Sequence, residues 1–310
     1  MDRLQAMALF LEVVDGGSMS AAGRLHGIPL ATVSRKIADL EAHLKTRLFT
    51  RSTRRLTLTD AGLLYAAACK RILEEVNDAE RKAAGEYVVP KGDLVMTAPV
   101  AFGRLHVLPI VTDFLAAYPD IDVRLILADR LNHLVDGHID LALRIGELPD
   151  SAMVAARVGI VRHVLCAAPA YLARHGTPAA PEDVANHQCI TFDSLGPARH
   201  WTFGETRSAR RVAIRPRLTL DAAQAAVDAA VAGAGITRVL SYQCAAAVAA
   251  GELRLLLESF EPAPRPVHLV HTGQGILPLK VRAFMDFAAP RLRDRLAEVA
   301  SVLGNGQQTG

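Results

Sequence analysis

The chain of 310 residues is longer than one ordinary domain and suits two or three. Its hydrophobic content of 51% excludes intrinsic disorder, and its aromatic content of only 5% means that the cores must rest on Ala, Leu and Val. The net charge of +3 decides little, but eight basic residues from Arg24 to Arg55 (Arg24, Arg35, Lys36, Lys45, Arg47, Arg51, Arg54, Arg55) are opposed only by Asp39 and Glu41, the footprint of an anion-binding module.

In residues 1–14, Leu4, Met7, Ala8, Leu11 and Val14 fall on one helical face. The following DGGS breaks that helix, and Ser18 or Ser20 can cap a short second one ending near Leu25. Gly27 stands where a tight turn between helices needs positive φ, and Pro29 suits the first turn of a third helix. Val33, Ile37, Leu40 and Leu44 form the buried stripe of that helix, while Thr32, Ser34, Arg35, Lys36 and Asp39 form its polar face. This is the helix-turn-helix plan, in which the second helix of the motif enters the major groove. The stretch RLFTRSTRRLTLT then reads as a two-stranded wing, with Arg51, Arg54 and Arg55 placed for backbone phosphates or a minor groove.

These residues resemble the LysR-type transcriptional regulators. The words that carry the resemblance are ALFLEVVDGGSMSAAGRLHGI and TVSRKIADLEAHLKTRLFTRSTRRLTLTDAG, then APVAFGRLHVLPIVTDFLAAYP and HIDLALRIGELPDS, in the family's order over nearly the whole chain. The resemblance implies a DNA-binding regulator, not an enzyme, with promoter double-stranded DNA, RNA polymerase and a small-molecule effector as partners. Base contact is expected from Thr32, Ser34 and Arg35, phosphate contact from Arg51, Thr53, Arg54 and Arg55, and Ser20 and Lys36 join them in the DNA-binding set. One departure stands out: Leu30 and Ala31 occupy positions where members often carry polar side chains, and these two can pack on thymine methyl groups instead.

From Thr59 the pattern becomes one helix of about 25 residues, near 38 Å long, with Thr59 as its cap. Ala61, Tyr65, Ala68, Ile72, Val76, Ala79 and Ala83 form its stripe. Such a helix needs a partner surface, either within its own chain or, as the resemblance implies, in a second subunit as the linker helix of a dimer or tetramer. EYVVPKGD is a natural hinge, which gives a DNA-binding domain at 1–58, a linker at 59–91 and an effector domain at 92–303.

After Gly92, strand-like DLVMTAP, helical FGRLHVLPIVTDFLAAYP, strand-like IDVRLILA, helical RLNHLVDGHI and strand-like DLALRIG follow in βαβ order, which predicts a parallel sheet with covering helices. RHVLCAAP, CITFD, WTF, RRVAIRPRLTL, the helix DAAQAAVDAAVAG and the strand GITRVL make a second group. PVHLVHT and a long helix from Pro278 close the chain, and GNGQQTG reads as a frayed end. The fold class is therefore α/β: a winged helix-turn-helix, a linker helix and two α/β subdomains. These subdomains resemble a periplasmic-binding-protein fold, with subdomain I at 92–161 plus 267–303 and subdomain II at 162–266.

Ligands of such sheets bind beyond the carboxyl ends of the strands. The amides near Val100, Ala101, Phe102 and Gly103 can face an anion, Thr97 offers a hydroxyl, and Pro99 and Phe102 offer apolar walls. Asp129 and Arg130 follow the next strand, and Arg144, Ile145 and Gly146 end the third. The facing candidates are Phe192, Leu218, Thr237 and Arg238. Each also has a plain packing or ion-pair reading.

Other chemistry is weakly supported. GAGIT at 233–237 follows a helix, the wrong order for a dinucleotide fingerprint. His133 and His138 are five apart, and no GxSxG occurs, so no metal, cofactor or catalytic set is expected. The cysteines Cys69, Cys166, Cys189 and Cys244 show no CxxC, against a disulfide framework. A thiol switch at Cys166 or Cys189 is an alternative, as are a solute-binding α/β protein with a basic N-terminal domain and a general DNA-packing protein. No signal peptide and no run of about 20 apolar residues is read, so a cytoplasmic protein without a membrane partner is expected.

Overall fold

The computed structural model describes residues 2–51, 56–83, 89–129, 139–148, 153–192, 199–204, 209–272 and 277–304. The chain divides into two units, one ending at Val89 and the other beginning at Pro90.

In the first unit, α1 (Arg3–Asp15), α2 (Met19–His26) and α3 (Leu30–Leu44) precede a hairpin of β1 (Phe49–Arg51) and β2 (Leu56–Leu58). Asp2 caps α1, its carboxylate accepting the amides of Leu4 and Gln5. Ser18 caps α2 by accepting the Ala21 amide at 3.1 Å, so Ser20 is left exposed on that helix. Gly27 adopts φ +64°, the left-handed turn expected between α2 and α3. Pro29 sits at the N-cap of α3, one step before the expected first turn. Val33, Ile37 and Leu40 are buried with Leu9, Phe10, Val13, Leu48 and Phe49. The ring of Phe10 lies 5.3 Å from that of Phe49, tying α1 to the wing.

The helix α4 (Asp60–Ala83) spans 24 residues. Thr59 caps it, accepting the Gly62 amide at 3.0 Å and donating to the Arg47 carbonyl at 2.7 Å. A side chain at residue 62 has no room, because a Cβ there would lie 2.1 Å from the carbonyl oxygen of Leu48. The wing and the helix therefore touch backbone to backbone.

The second unit runs β3 (Gly92–Ala98), α5 (Val100–Phe102), α6 (Leu108–Ala117), β4 (Ile121–Leu127), β5 (Leu141–Ile145), β6 (Met153–Val161), β7 (His163–Ala167), α7 (Pro169–His175), β8 (Cys189–Phe192), β9 (His200–Phe203), β10 (Arg210–Ala213), β11 (Pro216–Leu220), α8 (Ala223–Val231), β12 (Ile236–Leu240), α9 (Ser241–Ala249), β13 (Arg254–Leu256), β14 (Arg265–Thr272) and α10 (Leu279–Gly304). It contains two five-stranded sheets, ordered β4-β3-β5-β14-β6 and β11-β8-β12-β7-β13. The two share one design. In the first, β3, β4 and β5 are parallel and β14 runs antiparallel to β5 and β6. In the second, β8, β11 and β12 are parallel and β7 runs antiparallel to β12 and β13. The chain leaves the first subdomain between β6 and β7 and returns between β13 and β14.

A π turn at Gly103–Val107 joins α5 to α6. Val100–Ala117 is long and apolar enough to cross a membrane by length and composition. Phe102, Val107, Ile110, Val111 and Phe114 are nonetheless buried against the first sheet together with Phe284, Ala288 and Leu292 of α10, as in a core helix. The second core gathers Val164, Tyr171, Ile190, Trp201, Val227, Ile236 and Val239.

The βαβ expectation holds from β3 through α6 to β4, and β5 pairs parallel with β3 as expected. The helix expected at RLNHLVDGHI lies outside the described residues. RRVAIRPRLTL is two strands, because after β10 the chain turns at Ile214 and Arg215 and β11 joins a different sheet.

Candidate nucleic-acid interface and ligand cleft

On α3 the outward row is clear. Leu30 is 51% exposed, and Ala31 and Arg35 are exposed beside half-buried Thr32 and Ser34. Lys36 donates through Nζ to Gln5 Oε1 on α1 at 3.1 Å, so it is drawn toward α1. Arg51 ends β1, and Thr53, Arg54 and Arg55 lie outside the described residues. The wing is held by a residue that the charge pattern marks only as an opposing acid. Glu41, on the inner side of α3, accepts the amides of Leu48 and Phe49 at 2.8 and 3.1 Å through one oxygen. The helix with its outward row and the hairpin beside it are thus fixed as one piece.

In the second unit, Val100, Asp129, Ile145, Gly146 and Phe192 stand at or beyond the carboxyl ends of their strands. Pro99 caps α5 without a side-chain hydrogen bond, Val100 is 44% exposed and Ala101 is half-buried. The Val100 amide is already engaged, donating to Asp129 Oδ1 at 3.0 Å. The position expected to face an anion therefore holds a carboxylate of the chain itself. Arg130 lies outside the described residues. Arg144 donates through Nη1 to the Leu143 carbonyl at 2.9 Å, and burial pulls its pKa down. Gly146 adopts φ +113°, and its amide donates to the Pro266 carbonyl.

Several expected residues are turned inward. Phe102 is 0% exposed, its ring 5.0 Å from Tyr242 and 4.9 Å from His106, so in this conformation it is core and gives a ligand no wall. Thr237 is fully buried and donates to the Ile190 carbonyl at 3.2 Å, so its hydroxyl is spoken for. Thr97 is 3% exposed on β3. Phe192 packs at the margin of the second core, Ile145 at that of the first, and Leu218 is 36% exposed. Arg238 lies with its guanidinium 5.9 Å over the Phe203 ring, and burial pulls its pKa down.

Residues not singled out in the sequence join the two subdomains here. Arg104 Nη2 donates to Gln224 Oε1 at 2.9 Å, from the π turn to α8, and Gln224 Nε2 donates to Asp228. Burial raises the Tyr242 pKa, with Gln243 pulling against it and the Asp129 charge adding to the rise. Tyr242, Asp129, Arg104 and Gln224 are the polar groups that this structure places around the mouth of α5. Asp129 was expected there, whereas only contacts reveal Tyr242, Arg104 and Gln224, since Arg104 and Gln224 read in the sequence as ordinary solvated helix positions.

The two thiols considered as switches are both 0% exposed. Its hydrogen bond with Cys244, and then burial, hold Cys166 well above the usual thiol range. Burial pushes Cys189 up to about 11. Neither supplies the exposed thiolate that reactive cysteines require. Among the described residues no group of His, Cys, Asp and Glu is arranged to hold a metal ion.

Two family models match the chain. Residues 4–63 match the bacterial regulatory helix-turn-helix protein model of the lysR family, and residues 89–293 match the LysR substrate binding domain. An HTH-type transcriptional repressor of Pseudomonas aeruginosa is 33% identical, covering 99% of this chain and 98% of its own. The HTH-type transcriptional activator AaeR of Escherichia coli is 29% identical over 97% of this chain and 96% of its own. CrgA of Neisseria meningitidis, a LysR-type transcriptional regulator of known structure, is 29% identical, covering 93% of this chain and 98% of its own with a TM-score of 0.60.

Proposed function

The chain belongs to the LysR family of bacterial helix-turn-helix transcriptional regulators, and from that premise we propose that it reads promoter DNA with α3 while a small molecule in the cleft of the second unit changes that binding. The observation that carries the DNA reading is the exposed row Leu30, Ala31 and Arg35 on a helix locked to the wing by Glu41. Arg35 reaches a base edge, Leu30 and Ala31 meet thymine methyl groups, and Arg51, Thr53, Arg54 and Arg55 hold phosphates. Ser20, Thr32, Ser34 and Lys36 complete the interface, Lys36 after letting go of Gln5. Two such modules, paired through α4 in a dimer or tetramer, grip two half-sites in the cytoplasm and alter access of RNA polymerase.

The effector binds around the strand ends among Pro99, Val100, Ala101, Asp129, Arg130, Arg144, Ile145 and Gly146, with Leu218 of β11 and Arg238 of β12 on the facing sheet and Arg104 and Gln224 closing over it. Thr97, Phe102 and Thr237 are buried and Phe192 packs at the margin of the second core, so these four support the cleft without touching the ligand. DNase footprinting of the DNA upstream of its own gene, with non-specific competitor present, tests the reading. A bounded protected region supports it. Diffuse protection at every candidate promoter, equally sensitive to salt on all sequences, favours a DNA-packing protein instead. A solute-binding protein with an idle basic domain would bind its ligand equally with and without DNA, whereas a regulator must show linkage between the two.

A further inference from the structure

The two crossings between the subdomains are tied by an unusual carboxylate. At the first crossing stands Arg162, whose amide donates to Ser241 Oγ at 3.1 Å and whose carbonyl accepts the Ser241 amide at 2.8 Å. At the second stands Glu261, just after the turn Glu258–Phe260. Arg162 Nη1 donates to Glu261 Oε2 at 3.1 Å and lies 3.8 Å from Glu258 Oε2. The Glu261 side chain is only 11% exposed. Its other oxygen, Oε1, is buried and accepts no hydrogen bond from the described residues.

A carboxylate with one oxygen paired and the other desolvated and bare is costly to keep charged. Burial raises the Glu261 pKa to about 7, with Arg162 pulling against it and Glu258 adding to the rise. The charged groups facing it are Arg162 from the first crossing, Glu258 from the turn and Arg238 from β12. Arg265 of β14 and His163 of β7 stand behind Arg238.

We infer that Glu261 is a proton-controlled clasp between the two crossings: as an acid it stays buried against Arg162 and keeps the hinge closed, and as a carboxylate its bare oxygen draws water into the crossing and lets the subdomains turn. The clasp stands on the hinge geometry alone. Only its consequence, an effector response that shifts with pH near neutrality, rests on the function proposed above.

Hydrogen–deuterium exchange of the full-length protein, read on peptides covering residues 161–164 and 240–243, tests it without DNA or effector. After correction for intrinsic exchange, the wild-type crossings are about threefold or more better protected at about pH 6 than at about pH 8. Glu261→Gln, a mimic of the acid, shows the higher protection at both. Glu258→Gln, which removes a charge that favours the acid, moves the midpoint of the change to lower pH. Equal wild-type protection at both pH values overturns the clasp, and so does a pH change that survives in Glu261→Gln. If Glu261→Gln does not fold, an unmoved midpoint in Glu258→Gln overturns it. Because no promoter enters the readout, failure of the clasp and failure of the regulator reading are separate results.

Discussion

Glu41 Oε1 lies 2.8 Å from the amide nitrogen of Leu48, so a carboxylate on α3 supplies the hydrogen bond that starts the wing. Leu48 is fully buried, and its amide has no easy recourse to water. Glu41→Ala is expected to cost about 1–3 kcal/mol of stability by orphaning two amides, and Glu41→Gln, which keeps an acceptor, much less. Denaturant unfolding of the two variants checks this. DNA affinity should fall in the same order, because the wing loses its fixed angle to α3.

Arg35 and the wing should separate base reading from phosphate holding. Arg35→Ala is expected to cost about 1–3 kcal/mol on the specific site and to relax sequence preference. Arg51→Ala should weaken specific and random DNA alike and lower the salt slope by about one. Fluorescence anisotropy over a salt series reads both. An equal loss on both DNAs for Arg35→Ala would make it a phosphate contact.

Gly62→Ala should destabilise the first unit by about 3 kcal/mol, the upper end for an overpacked site, because the obstruction is the Leu48 backbone carbonyl and not a yielding side chain. Thermal unfolding of the variant measures it.

The acid limb of stability carries a second signature. Burial, aided by Arg295, lowers the His106 pKa from 6.5 to about 4. Burial, aided by Arg238 and Arg265, does the same to His163. Below pH 6.5 the unfolded chain takes up protons that the folded chain refuses until about pH 4, so stability falls as pH falls through that window. His106→Phe keeps a ring against Phe102 and Tyr242 but cannot titrate, and its unfolding free energy should vary less between those limits. Glu261 works with the opposite sign, since its raised pKa lowers stability as pH rises from 4.5 through about 7.

Asp129 makes a prediction about the ligand. Its carboxylate sits on the Val100 amide, where an effector's own carboxylate would otherwise bind. Asp129→Asn removes the like charge but keeps an acceptor. In a thermal-shift screen of small metabolites, carboxylate ligands should stabilise Asp129→Asn more than wild type, and cationic ligands less. Identical rankings would place the binding site elsewhere.

The first unit was legible because its signals are local. The stripe Val33, Ile37 and Leu40, Gly27 with its left-handed turn and the cap at Thr59 each act within a few residues of where they are read. Glu41 was missed because its partners lie seven and eight residues on, across a turn. In the second unit the strands β3, β5, β7, β8 and β12 are largely buried on both faces, and their residue pattern does not say which side chains meet a cleft. Phe102 and Thr237 were expected there and are core. β6 (MVAARVGIV) and α9 (SYQCAAAVA) gave no clear period, so neither was read, and the contact of Tyr242 with Phe102 could not be foreseen.

The insertion of β14 between β5 and β6 sets an order of events during synthesis. The strand that completes the first sheet is made only after all of residues 162–264, whereas the second sheet is built from one unbroken stretch, β7 to β13. On the ribosome the later-made sheet can close first. The earlier one must wait with Leu141, Leu143 and Val158 uncovered until Val267 and Leu269 arrive. A chain cut short between Leu256 and Arg265 therefore has a finished second sheet, while β5 has a bare edge and β6 has no neighbour in the first. Nascent chains stalled in that interval are the ones that chaperones should hold.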